Sequence, residues 1–172
     1  MSEILEASAV ISGMLRIMHP DQYRMARDML WVSRADTALQ PVLAKWPSVF
    51  TAISIIANRI SPLHREQHGD NRFFDILLSC GQYTVASIEL QPLGFHIPNG
   101  PGTVIGCSGK AIRHGTAESD GTRICVAFYM RTSVQSFLRV RPCQYMVQEV
   151  YRPWIGAVNN TVYKSLSKDP FV

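Results

Sequence analysis

Two of the five histidines, His64 and His68, lie in one short stretch together with Glu66 and Asp70. Alternate side chains of an extended chain point to the same face, so these four residues would form one row of metal-ligand types. Such a row is costly to bury without a cation. The Gly-Asp-Asn turn signal that follows predicts that the strand ends near residue 67, which leaves His64 and Glu66 as the facing pair. His68 and Asp70 are the alternative metal ligands.

A third histidine, His114, lies far downstream at the end of a β run and directly before a glycine. Two histidines and one carboxylate are the facial triad of non-haem Fe(II) oxygenases. Three such ligands occupy one face of an octahedron and leave three positions for a bidentate cosubstrate and O₂. The same spacing is also compatible with a surface pair at His64 and Glu66 and a hydrogen-bonded histidine at a strand end.

An arginine in the next strand adds to this pattern. Arg123 follows His114 across a turn and opens the apolar run 124–129. A planar guanidinium binds a carboxylate through two parallel hydrogen bonds, so Arg123 is suited to hold the far carboxylate of 2-oxoglutarate. A surface salt bridge is the alternative role. The order His64, Glu66, His114, Arg123 in a β-rich frame favours an oxygenase.

The elements that must position these residues change in character along the chain, whose 172 residues fit a single domain. Residues 1–47 have the apolar spacing of helices, with Asp21 as the expected N-cap of the second helix, and predict a helical buttress. From residue 48 to residue 130 short β runs alternate with turn residues; we expect strands at 50–58, 73–79, 83–90, 94–97, 103–107, 110–114 and 122–130. This pattern indicates an all-β core, a sandwich or jelly roll, with N-terminal helices; it excludes a doubly wound fold. Residues 131–172 predict a less regular C-terminal extension.

Composition narrows the class of protein further. Hydrophobic residues make up 47% and charged residues 17%, which excludes intrinsic disorder. No run reaches the length of a membrane span and the N-terminus has no basic region of a signal peptide, so we expect an intracellular protein without a membrane partner. Four cysteines without a CxxC pair predict buried thiols. The net charge of +4, from 13 arginines and 4 lysines against 13 acids, permits an anionic partner but identifies none.

An ordered series of short motifs runs from about residue 17 to residue 134. It comprises MHPD at 18–21, WPSVF at 46–50, IANR at 56–59, SPLHRE at 61–66, FFDIL at 73–77, PGTV at 101–104, RHG at 113–115 and YMR at 129–131. This series resembles the fungal branch of the TET/JBP-like 2-oxoglutarate and Fe(II)-dependent dioxygenases, which oxidise methyl groups on nucleic-acid bases. The resemblance implies a double-stranded β-helix, the jelly-roll barrel, with the N-terminal helices buttressing one sheet.

The resemblance also implies roles for individual residues. His64 and His114 match the two iron histidines of the family, and Arg123 matches its 2-oxoglutarate arginine. Glu66 stands where the family usually has Asp, and its extra methylene places the carboxylate about 1.5 Å further from the backbone. Glu66 can therefore ligate iron or crowd the cosubstrate position, so catalytic activity is open at this point.

The function implied is oxidation of the methyl group of a modified base such as 5-methylcytosine, with Fe(II), 2-oxoglutarate and O₂. A base in duplex DNA must be flipped out of the stack to reach the pocket. Asn58 and Arg59, which precede the ligand strand, are candidate pocket residues by position. DNA as a partner is compatible with a nuclear location. Two alternatives remain: the same chemistry on a small molecule or protein, and a catalytically degenerate barrel that acts as a binding module.

Overall fold

The computed structural model describes residues 2–147 of the chain. Four α-helices are present in this part: α1 Ser2–Met18, α2 Pro20–Ser33, α3 Gln40–Leu43 and α4 Thr132–Phe137. The strands are β1 Ala52–Ala57, β2 Ser61–His64, β3 Asp75–Gln82, β4 Ser87–Leu90, β5 Phe95–Pro98, β6 Val104–Cys107, β7 His114–Thr116 and β8 Thr122–Tyr129, with a 3₁₀ turn at Gln91–Leu93. None of the helices in the described part is long and apolar enough to cross a membrane.

The eight strands form two antiparallel sheets of four. The major sheet has the order β1-β8-β3-β6 and the minor sheet the order β2-β7-β4-β5. Within residues 2–147 no strand pairing joins the two sheets, so they form an open sandwich rather than a closed barrel. The predicted double-stranded β-helix with N-terminal helices is confirmed in this form.

Strand alternation gives the major sheet two different faces. On β8, Val126 and Phe128 point outward and join a buried cluster with α1 and α2 residues such as Leu15 and Met29. The intervening side chains, among them Ala127, point towards the minor sheet. The helices therefore cover the outer face of the major sheet, and the inner face is left to line a cavity.

The junction between α1 and α2 differs from the prediction that Asp21 caps the second helix. The N-cap is His19, whose Nδ1 accepts a hydrogen bond from the Gln22 N–H at 3.2 Å, and Pro20 begins the helix. The other ring nitrogen of His19 bonds the Arg72 carbonyl at 3.0 Å, so it carries the proton. Burial lowers the pKa of His19, which agrees with this neutral tautomer.

The strand expected at 83–90 begins only at Ser87, and two further segments differ from the predicted pattern. The strand expected at 110–114 starts only at His114, because residues 108–112 form a turn in which the N–H groups of Ala111 and Ile112 both donate to the Ser108 carbonyl. The helix α4 was not expected in the C-terminal extension. Residues 148–172 of that extension lie outside the described part of the chain.

Candidate metal centre

His64 and His114 come together because their strands pair directly. His64 is the last residue of β2, His114 is the first of β7, and the two are register partners. Gly115 allows the close approach, since an added Cβ would lie 2.9 Å from the Ser61 carbonyl oxygen. Directly paired residues of an antiparallel pair project to the same face, and the two imidazole centroids are 4.6 Å apart.

Backbone hydrogen bonds orient both imidazoles in the same way. The Nδ1 of His64 lies 2.8 Å from the Pro62 carbonyl oxygen, and the Nδ1 of His114 lies 2.9 Å from that of Ile112. A carbonyl oxygen only accepts, so each Nδ1 carries the proton and each Nε2 keeps its lone pair. An Nδ1–H bonded to a backbone carbonyl, with Nε2 left free to bind, is typical of metal-binding histidines.

Glu66 completes a group of three possible metal ligands. One ligand atom each from His64, Glu66 and His114 lie within 4.8 Å of one another, and this is the one such group found within residues 2–147. The Glu66 carboxylate is 3.4 Å from the His64 Nε2. The prediction that one strand carries both residues is wrong, because β2 ends at His64. Glu66 is instead held by its own N–H, which donates to the Gly109 carbonyl at 2.9 Å.

The alternative pair His68 and Asp70 is not brought together at this site. Asp70 forms a two-pronged ion pair with Arg72, with distances of 2.7 Å to Nε and 2.6 Å to Nη2. The Arg72 guanidinium holds the pKa of Asp70 below its usual range. His68 lines the cavity beside Glu66, whereas Asp70 does not.

A carboxyl group that the sequence did not single out lies beside the three ligand candidates. Asp75, the first residue of β3, lines the same cavity on the inner face of the major sheet. Burial, and then the negative charge of Glu66, raise the pKa of Asp75 to about 7, against the opposing effect of a hydrogen bond from Gly109. Asp75 lies two residues before Leu77 on β3, so both side chains face inward. The sequence does not indicate that Asp75 lies close to Glu66.

The cavity between the sheets has a volume of about 210 Å³ and a polar rim. Arg59, Tyr129 and Arg131 line it together with Glu66 and His114, two of the three metal-ligand candidates. The Arg131 guanidinium lies 5.4 Å from the centre of the Tyr129 ring. Hydrogen bonds from Ser54 and Arg131 lower the pKa of the Tyr129 hydroxyl. Two guanidinium groups at the rim make it suited to an anionic or hydrogen-bond-accepting ligand.

The predicted cosubstrate arginine, Arg123, is buried on the inner face of β8 and only 4% exposed. Its Nη2 donates to the Arg59 carbonyl at 2.7 Å, while its Nε is buried and has no hydrogen-bond partner among the described residues. Asn58 holds the Arg123 backbone: its Oδ1 accepts from the Arg123 N–H at 2.8 Å, and its own N–H donates to the Arg123 carbonyl. Of the two candidate pocket residues, Asn58 thus fixes Arg123 and Arg59 lines the cavity.

These features fit the groups that the sequence resemblance implies. Two imidazoles and a carboxylate are ligands that Fe(II) accepts, and their arrangement leaves one side open to the cavity. A buried guanidinium nitrogen without an acceptor is unfavourable unless a ligand supplies one, and a carboxylate oxygen would do so. The chain therefore has a metal-type cluster at one cavity and an unsatisfied donor for a carboxylate at Arg123. Arg123 does not line that cavity but a second pocket, which shares Arg59 with it.

The comparisons with known proteins identify the class. Residues 1–132 match the Tet_JBP family model, the oxygenase domain of the 2OGFeDO superfamily. The chain belongs to this family, which implies Fe(II) and 2-oxoglutarate as its metal and cosubstrate. The fungal branch stays a prediction. No curated protein sequence matches the chain.

A solved structure shares the fold. NgTET1 in complex with 5mC DNA matches with a TM-score of 0.59 and 14% sequence identity. The match covers 88% of this chain and 56% of the NgTET1 chain, so this chain spans little more than half of that protein's length. The likeness supports the double-stranded β-helix arrangement of the two sheets and the helices.

Proposed function

We propose that the protein is an Fe(II)- and 2-oxoglutarate-dependent dioxygenase that oxidises the methyl group of a modified nucleic-acid base such as 5-methylcytosine. The observation that carries the proposal is the convergence of His64, Glu66 and His114 in a chain of the Tet_JBP family. The buried Arg123 adds a site for the cosubstrate carboxylate.

The three ligand candidates have the chemistry to hold Fe(II) through the two Nε2 atoms and the Glu66 carboxylate. The carbonyls of Pro62 and Ile112 keep both imidazoles in the correct tautomer and orientation. When bound, Fe(II) and 2-oxoglutarate supply the oxidising chemistry towards a C–H bond with O₂. The remaining contribution of the chain is to position the ligands and to exclude water.

Arg123 is the residue we assign to the far carboxylate of 2-oxoglutarate. Its Nε–H has no hydrogen-bond partner among the described residues and can donate to a carboxylate oxygen. The contact of Nη2 with the Arg59 carbonyl and that of the Arg123 backbone with Asn58 fix the guanidinium before a ligand binds. A pre-ordered donor loses little conformational entropy on binding.

Glu66 in place of the usual Asp is compatible with metal binding in this arrangement. Glu66 lies two residues beyond the end of β2, and its carboxylate reaches the His64 ring while its N–H bonds Gly109. We infer that the loop, whose backbone is held by the Glu66–Gly109 hydrogen bond and not by the strand, accommodates the extra methylene. This geometry favours an active site over a degenerate one.

The rim of the cavity supports a nucleic-acid base as the substrate. Tyr129 supplies an aromatic face, and the guanidinium groups of Arg59 and Arg131 supply hydrogen-bond donors. The structural neighbour NgTET1 is described in complex with 5mC DNA, which favours a methylated cytosine as the first substrate to test. A base in a duplex would enter by flipping out of the stack.

The test is turnover of methylated DNA by the full chain with Fe(II), 2-oxoglutarate and O₂, with oxidised bases measured by mass spectrometry. We expect an oxidised methyl product from methylated DNA, none from unmodified DNA, and none with His114→Ala. If the protein binds iron and releases succinate without any oxidised base, a small molecule or protein becomes the better substrate. Absence of both products would contradict the dioxygenase proposal.

A further inference from the structure

A second candidate binding surface lies on the helical side of the molecule. A groove of about 710 Å³ runs along α1 and α2 and is lined by four arginines, Arg16, Arg24, Arg27 and Arg34. The helices cover the outer face of the major sheet, whereas the metal-ligand candidates lie on its inner side. The sheet therefore separates this groove, the arginine groove, from the candidate metal centre.

The arginine groove is positively charged. Among the described residues that line it, Asp28 is the one acid, so four arginines against one aspartate give a net +3. The positions 24, 27, 31 and 34 are spaced by three, four and three residues, which places them on one face of α2. At 1.5 Å per residue this stripe is about 15 Å long, enough for several nucleotides of an extended strand.

Aromatic rings alternate with the charges in the same groove. Trp31 is 71% exposed, and the Arg34 guanidinium lies 5.5 Å from the centre of its ring. Tyr23 also lines the groove, with the Arg16 guanidinium 5.9 Å from its ring centre. Aromatic rings on which bases stack, with guanidinium groups beside them, are a common platform for single-stranded nucleic acid.

We propose that the arginine groove binds single-stranded nucleic acid, with the guanidinium groups on the phosphates and Trp31 stacked on a base. The positive charge of the described lining favours an anionic partner, and the exposed indole favours one with flat rings over an acidic peptide. This binding is independent of the proposed catalysis, because it uses the opposite side of the major sheet.

The test is fluorescence anisotropy of a labelled, unmethylated strand of roughly 20 nucleotides with the metal-free full chain. Neither a methylated base nor iron is present, so the result does not depend on the proposed dioxygenase activity. We expect binding that weakens with salt, by a logarithmic slope of about −0.7 for each phosphate neutralised. A duplex of the same sequence and poly-glutamate should bind more weakly.

Single-residue variants test whether the nucleic acid binds in the arginine groove. We expect Trp31→Ala to weaken binding by roughly tenfold and Trp31→Phe to retain most of it, because stacking needs only a flat ring. Arg34→Gln should reduce the salt slope by about 0.7, and Asp28→Asn should tighten binding. Lys45→Ala, which removes an exposed charge of the helical layer outside the groove, should have no effect.

Four results would overturn the proposal. The first is no measurable binding at low salt by a protein whose circular dichroism is native. The second is an equal loss for Lys45→Ala and Arg34→Gln, which would indicate general surface charge. The third is unchanged affinity of Trp31→Ala, and the fourth is equal affinity for the duplex or for poly-glutamate, either of which would remove the role of stacking.

Discussion

At the scale of single residues, Glu66 decides whether the site can hold a metal. It is about half exposed and, among the described residues, is the one carboxylate that groups with both imidazoles as a possible ligand. We expect Glu66→Ala to lower Fe(II) affinity more than the roughly 10–100-fold that loss of a group hydrogen-bonded to a metal ligand costs. Glu66→Asp should keep part of the affinity, because the carboxylate is retained on a shorter arm.

Isothermal titration with Fe(II) under anaerobic conditions measures this effect. Glu6→Gln, which removes an exposed acid from α1, is the matched control and should bind Fe(II) as the native chain does. Equal affinity of Glu66→Ala and the control would show that Glu66 is not a ligand.

The single residue Asp75 should also make the stability of the folded protein depend on pH. Its folded pKa is about 7 whereas the ordinary value is 3.8, so between these pH values the folded chain keeps a proton that the unfolded chain has released. The free energy of unfolding of the metal-free protein should therefore fall as pH rises through this range, by up to about 1.4 kcal/mol per pH unit. Above pH 7 the contribution of Asp75 should become constant.

Urea unfolding of the native chain and of Asp75→Asn, at about pH 5 and about pH 8, tests the sign. The amide cannot ionise, so we expect the variant to lose most of this pH dependence and to be the more stable of the two at the higher pH. A variant with the same pH dependence as the native chain would refute the assignment to Asp75.

At the scale of elements, the loop between β6 and β7 packs directly against the residues of the site. A Cβ at Gly109 would lie 2.6 Å from Asp75 Oδ2, 2.9 Å from Glu66 Cγ and 3.3 Å from His114 Cε1. Gly109→Ala should therefore displace Glu66 and weaken Fe(II) binding by at least tenfold, since ligands must be held within about 0.5 Å of their productive positions.

The control for this loop is Gly100→Ala, because no atom lies within 4 Å of an added Cβ at that position. Fe(II) titration and thermal unfolding of both variants separate a local effect from a general one. Native metal affinity in Gly109→Ala would mean that the loop does not position Glu66.

The sequence predicted most of the strands that carry the site residues, but not all of the contacts that fix the ends of those strands. Arg123 was expected at the start of the last β run, and it lies in β8. The pairing of β2 with β7, which brings His64 and His114 together, was not predicted. The end of β2 at His64 and the late start of β7 were missed, because the Glu66–Gly109 and Ser108 hydrogen bonds that set them are long-range or depend on turn geometry. The cap at His19 was missed because the ring accepts from the Gln22 N–H only in the tautomer and orientation that the distant Arg72 carbonyl fixes.

At the scale of the whole molecule, the helices and the site use opposite faces of one sheet. Met29 on α2 is fully buried with Phe128 and Ile76 of the major sheet. We expect Met29→Ala to cost about 2–5 kcal/mol, which lowers the Tm by roughly 4–20 °C for a chain of this size. Ile17→Ala, on a side chain that is 68% exposed, should change stability by less than about 0.5 kcal/mol.

Differential scanning calorimetry measures both variants, and Fe(II) titration of folded Met29→Ala at low temperature tests the separation of the two faces. The metal affinity should stay native, because the cluster and the metal-ligand candidates lie on opposite faces of the major sheet. A parallel loss of metal affinity in the folded variant would show that the helical layer and the site are coupled.

The central claim is that one chain holds Fe(II) through His64, Glu66 and His114 and 2-oxoglutarate through Arg123. The most direct measurement is the visible metal-to-ligand absorption band on addition of 2-oxoglutarate to the Fe(II)-loaded full chain without O₂. We predict a saturable band in the native chain, no band with His114→Ala, and a band that needs at least tenfold more 2-oxoglutarate with folded Arg123→Gln. A folded native chain that binds Fe(II) and gives no band at saturating 2-oxoglutarate would contradict the claim and favour a degenerate binding module.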